Sequence, residues 1–274
     1  MGMGNDNPFK MLTIAGFDPS GGAGIIADVK CAAEHGVNAL GAVTALTIQS
    51  TRGLERFIPV PVADFREQLS VLLSDIVPDS VKIGMLPSGE HALAIASMLQ
   101  EYCPEVPVVA VPVLAPTSGN PSNSDKAALL EAYAGSILQN AVLATPNIPE
   151  CEDFLGKEIS SLEDSLKAAV DFTGKFGSRA TLLKGGHGKG NADTLIDIFY
   201  DSDSGHLAEI IVPKVDTCNL HGTGCILSSA IASHLASGET LEAAVMKSES
   251  FINKALTEGA VFKYGSGNGA SLIL

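Results

Sequence analysis

Three turns in this chain carry residues whose types and spacing suit chemistry on an anion. In His221-Gly222-Thr223-Gly224-Cys225, two glycines and a threonine precede the apolar run 226–235. A helix starting there aims several backbone N–H groups at one point above its axis, which makes an anion hole. Cys225 falls in the first helical turn, where the helix dipole favours negative charge, although a cysteine can also simply pack there. The second turn is Gly16-Phe17-Asp18-Pro19-Ser20-Gly21-Gly22-Ala23-Gly24. Its glycines permit close backbone approach to a ligand, yet it matches neither GxGxxG nor GxxxxGK[ST] and also reads as an ordinary strand-to-helix turn. Asp28, four residues further on between Ala27 and Val29, is either a buried carboxylate that needs partners or a solvated helix position.

The third turn is Thr145-Pro146-Asn147-Ile148-Pro149-Glu150. Asn147 and Glu150 are three apart and share a helix face, so they suit a hydrated magnesium ion; they equally suit a capped helix start, with Asn147 as the cap. In Leu183-Lys184-Gly185-Gly186-His187 a lysine closes a strand before a glycine pair. It is placed to neutralise transferred phosphate charge or to sit solvated at a strand end, and His187 reads as a loop residue.

These turns need a scaffold, and the apolar pattern supplies one. Runs at 10–15, 39–46, 80–83, 108–113, 141–144 and 180–184 are apolar on both sides, as strands of a parallel sheet covered on both faces are. Between them the 3.6-residue period predicts helices over 25–33, 65–73, 91–102, 126–133 and 162–176. The alternation implies a three-layer α/β fold. Beyond 184, strands over 194–200 and 209–212 joined by a polar turn suit an antiparallel edge, followed by helices over 225–237 and 241–256. Without repeats or a polar linker, the chain reads as one domain over 1–274, with 1–10 and 264–274 as flexible tails.

Composition excludes several classes of function. Seventeen Lys and Arg against 31 Asp and Glu leave a formal net charge of -14, without the basic footprint of a general nucleic-acid binder. Mean hydropathy is +0.26, but no apolar run reaches the roughly 18 residues of a membrane span, and no secretion signal is recognisable at the start. Five widely spaced cysteines without a CxxC pair suit a reducing cytoplasm better than a disulfide or zinc framework.

Taken in order, TIAGFDPSGGAGI (13–25), Asp28, TALT (44–47), VKIGML (81–86), TPNIPE (145–150), LKGGH (183–187) and HGTGC (221–225) resemble the hydroxymethylpyrimidine/phosphomethylpyrimidine kinases of the ribokinase-like superfamily, over roughly 11–255. The resemblance implies a ribokinase-like three-layer α/β/α sandwich with a mostly parallel central sheet and an antiparallel edge. It implies ATP-dependent phosphorylation of 4-amino-5-hydroxymethyl-2-methylpyrimidine and its monophosphate in thiamine biosynthesis. Gly16, Asp28, Thr47, Gln49 and Met85 would then surround the pyrimidine. Asn147 and Glu150 would order Mg²⁺ and the ATP phosphates, and Lys184 would lie near those phosphates. Cys225 would act as the base beside the backbone cradle of Gly222, Thr223 and Gly224. A homodimer is the usual assembly of such relatives.

Two positions depart from the family pattern. Val111 stands where relatives carry an Asp that helps hold metal and water, and Pro116 stands where some dual-specificity pyridoxal kinases carry a second cysteine. The first keeps a catalytically weakened pyrimidine-binding or sensor protein among the expectations. A pyridoxal or pyridoxine kinase is the enzymatic alternative.

Overall fold

The computed structural model describes residues 8–113, 123–185 and 193–272. The strands in chain order are β1 (Lys10–Phe17), β2 (Asn38–Ser50), β3 (Gly53–Pro59), β4 (Ser80–Ile83), β5 (Val108–Ala110), β6 (Leu143–Ala144), β7 (Ala180–Leu183), β8 (Thr194–Asp201) and β9 (His206–Pro213). The helices are α1 (Gly24–Glu34), α2 (Val62–Asp75), α3 (Gly89–Tyr102), α4 (Asn123–Ser136), α5 (Ile148–Leu155), α6 (Leu162–Phe176), α7 (Thr223–Ala236) and α8 (Leu241–Gly259). All nine strands join one sheet in the order β3-β2-β1-β4-β5-β6-β7-β8-β9. From β2 to β7 neighbouring strands run parallel, whereas β3, β8 and β9 pair antiparallel at the two edges.

Both faces of the sheet are covered. On one face Phe65, Ile95, Leu129, Phe154 and Phe172, from α2 through α6, pack with Leu12, Ile14 and Ile83. On the other, Ala27 and Cys31 of α1 and Ile226 and Ala230 of α7 pack with Met11, Val109 and Leu182, joined by Leu241 and Val245 of α8. This is the three-layer arrangement that the alternating pattern predicts. Helix α6 has the predicted bounds, because Ser161 caps its start by accepting from Asp164 N–H and Gly177 ends it in the left-handed conformation.

Several elements differ from the sequence reading. The edge strand β3 is not anticipated: it is largely exposed, so it lacks the two-sided apolar signature. β5 stops at Ala110 rather than 113, since Pro112 has no N–H for a ladder. Helix α5 starts where the sequence offers a cap at Asn147 and extends to Leu155. The tail predicted to be flexible is docked over its described part: Tyr264 donates to Ser20 O at 3.0 Å, and Ala270 and Ser271 are buried. Gly265, Gly267 and Gly269 allow close packing, because a Cβ on any of them would overlap Thr51 or Asn219. At the other end Lys10 already belongs to β1, and its side chain pairs with Asp79 at 3.1 Å.

Between the sheet and the α1/α7 layer lies an ion pair with both side chains fully buried. Lys82 of β4 donates to both carboxylate oxygens of Asp28 on α1, at 3.0 and 2.8 Å. The same carboxylate accepts from Thr13 Oγ1 of β1 at 2.5 Å and Ser229 Oγ of α7 at 2.8 Å. Removing one partner strands the other charge in the core. Lys82→Met should therefore lower the unfolding free energy by about 3–5 kcal/mol in urea titrations, with Asp28→Leu in the same chain recovering much of the loss. A loss of under about 1 kcal/mol in the single variant would mean that the pair is not what holds these four elements together.

Candidate active site

The sheet order reverses beside β1: the chain moves outward through β2 to β3, then returns to β4 on the other side of β1. Such a reversal opens a crevice at the C-terminal ends of the strands, where open α/β sheets take ligands. Gly16 lies at the end of β1 and Met85 follows β4. A Cβ on Gly16 would lie 3.3 Å from Met85 Sδ and 3.8 Å from Thr47 Cγ2, so these three expected residues meet. Thr47 Oγ1 donates to Phe17 O at 2.9 Å, and Thr44 Oγ1 to Met85 O at 2.8 Å, fixing both walls.

Beside them is a cavity of about 300 Å³ lined by Ala23, Val111, Val113, Asn147, Glu150, Lys184 and Gly222 through Cys225. Helix α7 points its N-terminus into this space. Its N-cap Gly222 has φ 85°, no side chain caps the helix, and the first turn holds no acidic residue. The backbone amides of Gly224 and Cys225 are thus offered to an anion, while that of Thr223 donates to Leu220 O at 3.4 Å. Only glycine suits position 222, since a Cβ there would overlap the Gly22 carbonyl. A Cβ on Gly224 would lie 3.0 Å from Lys184 Nζ, so the lysine stands over the same helix start.

Asn147 and Glu150 form a capping box: Asn147 Oδ1 accepts from Glu150 N–H and Glu150 Oε2 accepts from Asn147 N–H, both at 2.8 Å. The capped-helix reading is therefore correct, and both side chains still line the cavity. Among the described residues no group of three or more His, Cys, Asp and Glu is disposed to hold a metal ion. Val111 is 2% exposed and receives the Tyr133 hydroxyl on its carbonyl at 2.9 Å.

Asp28 is a correction. It was expected at the pyrimidine, but its carboxylate is buried behind β1 and β4 and is taken up by Lys82, Thr13 and Ser229. Burial opposes the charge on Lys82, yet Asp28, and beyond it Cys225, outweigh burial and hold its ammonium above the ordinary lysine value. The sequence reading missed Lys82, although a lone lysine in an otherwise apolar, two-sided strand calls for a buried carboxylate. Gln49 is brought to His221, with 3.0 Å between its amide nitrogen and Nε2, and His221 was not singled out either. Pro116, Gly186 and His187 lie outside the described residues.

Of the five free cysteines, Cys31, Cys103 and Cys151 are buried, and burial pushes their thiols up, that of Cys151 to about 12. Cys225 lies in the cavity wall. Behind Lys184, Asp197 accepts from Gly185 N–H at 2.6 Å and faces Glu249 of α8. Burial, with the neighbouring Asp197, pushes the Glu249 carboxyl up to about 9.

Over residues 18–271 the chain matches the family described as phosphomethylpyrimidine kinase. It is 40% identical over 252 residues to the thiamine biosynthesis bifunctional protein ThiED of Geobacter sulfurreducens, covering 90% of this chain and 49% of that one. The chain therefore spans about half the length of this relative. It is 32% identical to the hydroxymethylpyrimidine/phosphomethylpyrimidine kinase of Bacillus subtilis, covering 95% and 93% of the two chains. Among solved structures, a Bacillus subtilis pyridoxal kinase in complex with ADP superimposes with a TM-score of 0.84 at 27% identity, covering 97% and 98% of the two chains. A phosphomethylpyrimidine kinase from Clostridium difficile 630 gives 0.73 at 33% identity, covering 90% and 99%. The chain belongs to the phosphomethylpyrimidine kinase family, and its fold is ribokinase-like.

The Glu249 site makes a pH prediction. The native chain keeps that proton up to about pH 9, whereas an unfolded carboxyl releases it near 4.5, so stability falls as pH rises between these values. Glu249→Gln should flatten this limb in thermal melts, gaining on the parent toward pH 9 and nothing below pH 4.5. An unchanged slope would place the protonated acid elsewhere.

Proposed function

We propose that this member of the family transfers the γ-phosphoryl group of ATP to the hydroxyl of 4-amino-5-hydroxymethyl-2-methylpyrimidine, and then phosphorylates the monophosphate, in thiamine biosynthesis. The observation that carries the reading is the cavity in which the α7 N-terminus, Lys184 and Cys225 converge beside Gly16, Thr47 and Met85. The substrate hydroxyl oxygen attacks the γ-phosphorus, the bond to the bridging oxygen breaks with its electron pair leaving on ADP, and the hydroxyl proton passes to Cys225. Charge gathers on the γ-phosphoryl oxygens in a loose transition state, so catalysis depends on positioning and electrostatic stabilisation. The amides of Gly224 and Cys225 and the Lys184 ammonium supply fixed positive ends without reorganising. Gly16, Thr47, Gln49 and Met85 form the ring side of the site.

Asn147 and Glu150 suit a magnesium ion that arrives with the nucleotide. They offer one amide oxygen and one carboxylate, and Val111 adds no second carboxylate where the family pattern has Asp. Magnesium commonly takes one or two carboxylates and completes its shell with water and phosphate oxygens. Bound there, it would neutralise charge on the β- and γ-phosphates. We take the chain to act as one kinase domain in a reducing cytoplasm and to pair as a homodimer. Exposed Leu46, Ile48 and Ile58 on β2 and β3 support the pairing.

A second reading, pyridoxal kinase, is favoured by the TM-score of 0.84 to such an enzyme. Mass spectrometry of ATP reactions offered the hydroxymethylpyrimidine, its monophosphate and pyridoxal separates the two. Conversion of both pyrimidines is expected, with Cys225→Ala lowering kcat by about 10²- to 10⁴-fold. Preferential conversion of pyridoxal would install the second reading. Pyrimidine binding without any turnover, relieved by Val111→Asp, would make the protein a sensor.

A further inference from the structure

His221 stands where three parts of the chain meet. Its Nε2 lies 2.7 Å from Asp18 Oδ2 in the turn between β1 and α1, and 3.0 Å from the amide end of Gln49 on β2. Its backbone N–H donates to Gly269 O and its carbonyl accepts from Ser271 N–H, both at 3.0 Å. The ring packs so closely on Gly22 that a Cβ there would overlap Cδ2. Through this residue the turn that cradles phosphate rests directly on the turn that opens α1.

Asp18 is 3% exposed and accepts from Ser20 N–H and Oγ at 2.8 Å and from Ala23 N–H at 3.0 Å. Burial opposes its ionisation, but hydrogen bonds from His221 and Ser20 outweigh it and hold the carboxyl below its usual range. An ionised carboxylate only accepts, so the His221 nitrogen facing it carries a proton. That nitrogen cannot also accept from an amide N–H. The contact with Gln49 closes only when the amide turns its oxygen to His221 and its NH₂ group away, that oxygen taking the longer arm of the one Nε2–H whose shorter arm goes to Asp18.

We propose that His221 is a positioning residue: protonated at Nε2 against Asp18, it pins the phosphate-cradling turn of α7 to the β1–α1 turn and fixes the Gln49 amide with its oxygen toward the ring. Gln49 then presents N–H donors, which select an acceptor ring carrying a lone-pair nitrogen or oxygen at that point. This last step rests on the kinase reading of the site; the latch itself does not.

Hydrogen exchange followed by mass spectrometry on the full chain tests the latch. His221→Phe should speed exchange at 18–24 and 222–225 together by about tenfold, leaving α2 and α3 unchanged. His221→Gln keeps an N–H for Asp18 and should recover most of that protection. Gln49→Glu keeps an oxygen acceptor and should exchange like the parent, whereas Gln49→Lys sets donor against donor and should loosen both turns. In turnover, His221→Phe should cut kcat about tenfold or more while KM for ATP stays within about threefold, because misplacement costs the transition state most. Independent exchange at the two turns, equal damage from Gln and Phe at 221, or equal damage from Glu and Lys at 49 would overturn the proposal. Should the parent phosphorylate no acceptor, the kinase reading falls and the exchange experiment still decides the latch.

Discussion

The pair Lys82–Asp28 ties together the parts of the molecule that make the site. One carboxylate accepts from β1, β4 and α7 while standing on α1, so two neighbouring strands at the reversal of sheet order and the two helices above them share a single node. A buried pair adds little net stability relative to an apolar core, but it penalises any arrangement that leaves one charge alone. The registers of β1 against β4 and of α1 against α7 are thereby tied to the same requirement. Ser229 lies one helical turn past Cys225, so this node also sets how α7 presents its N-terminus.

Upon that base the site is built mainly from backbone. The cradle consists of amides at a helix start with no acidic neighbour in its first turn. Among the described residues the polar side chains around it are few: Lys184, Thr223, Cys225 and the capping pair Asn147 and Glu150. Such a design needs rigid turns more than reactive groups, because fixed dipoles stabilise developing charge only where they do not have to reorient. Glycine at 222 lets two turns touch through their backbones, and the hydrogen bonds of Asp18 make the lower turn stiff.

Much of this was legible in the sequence, and what was not has identifiable causes. The parallel strands announced themselves by two-sided apolarity, and α6 by its period, which the Ser161 cap and Gly177 bound in the structure. The half-exposed β3 carries no such signature. The glycine-rich tail looked mobile because glycine content signals freedom and close packing alike. Gly16, Thr47 and Met85, expected together, do lie side by side, but Asp28 was drawn to the ligand because the resemblance does not show that Lys82 answers its buried carboxylate. His221 was overlooked for the same reason: its partner Asp18 is 203 residues away.

That separation also bears on how the protein comes to be active. The contacts that close the site join Asp18 to His221, Asp28 to Ser229 and Ser20 to Tyr264 across 203, 201 and 244 positions. Large loops must be closed before such contacts return any free energy, which makes chains rich in them slow to fold. No local segment holds a working fragment of the site. The site therefore forms only once both ends of the fold have met, and the proposed turnover, followed during refolding, would report the completion of the whole molecule rather than of any one of its layers.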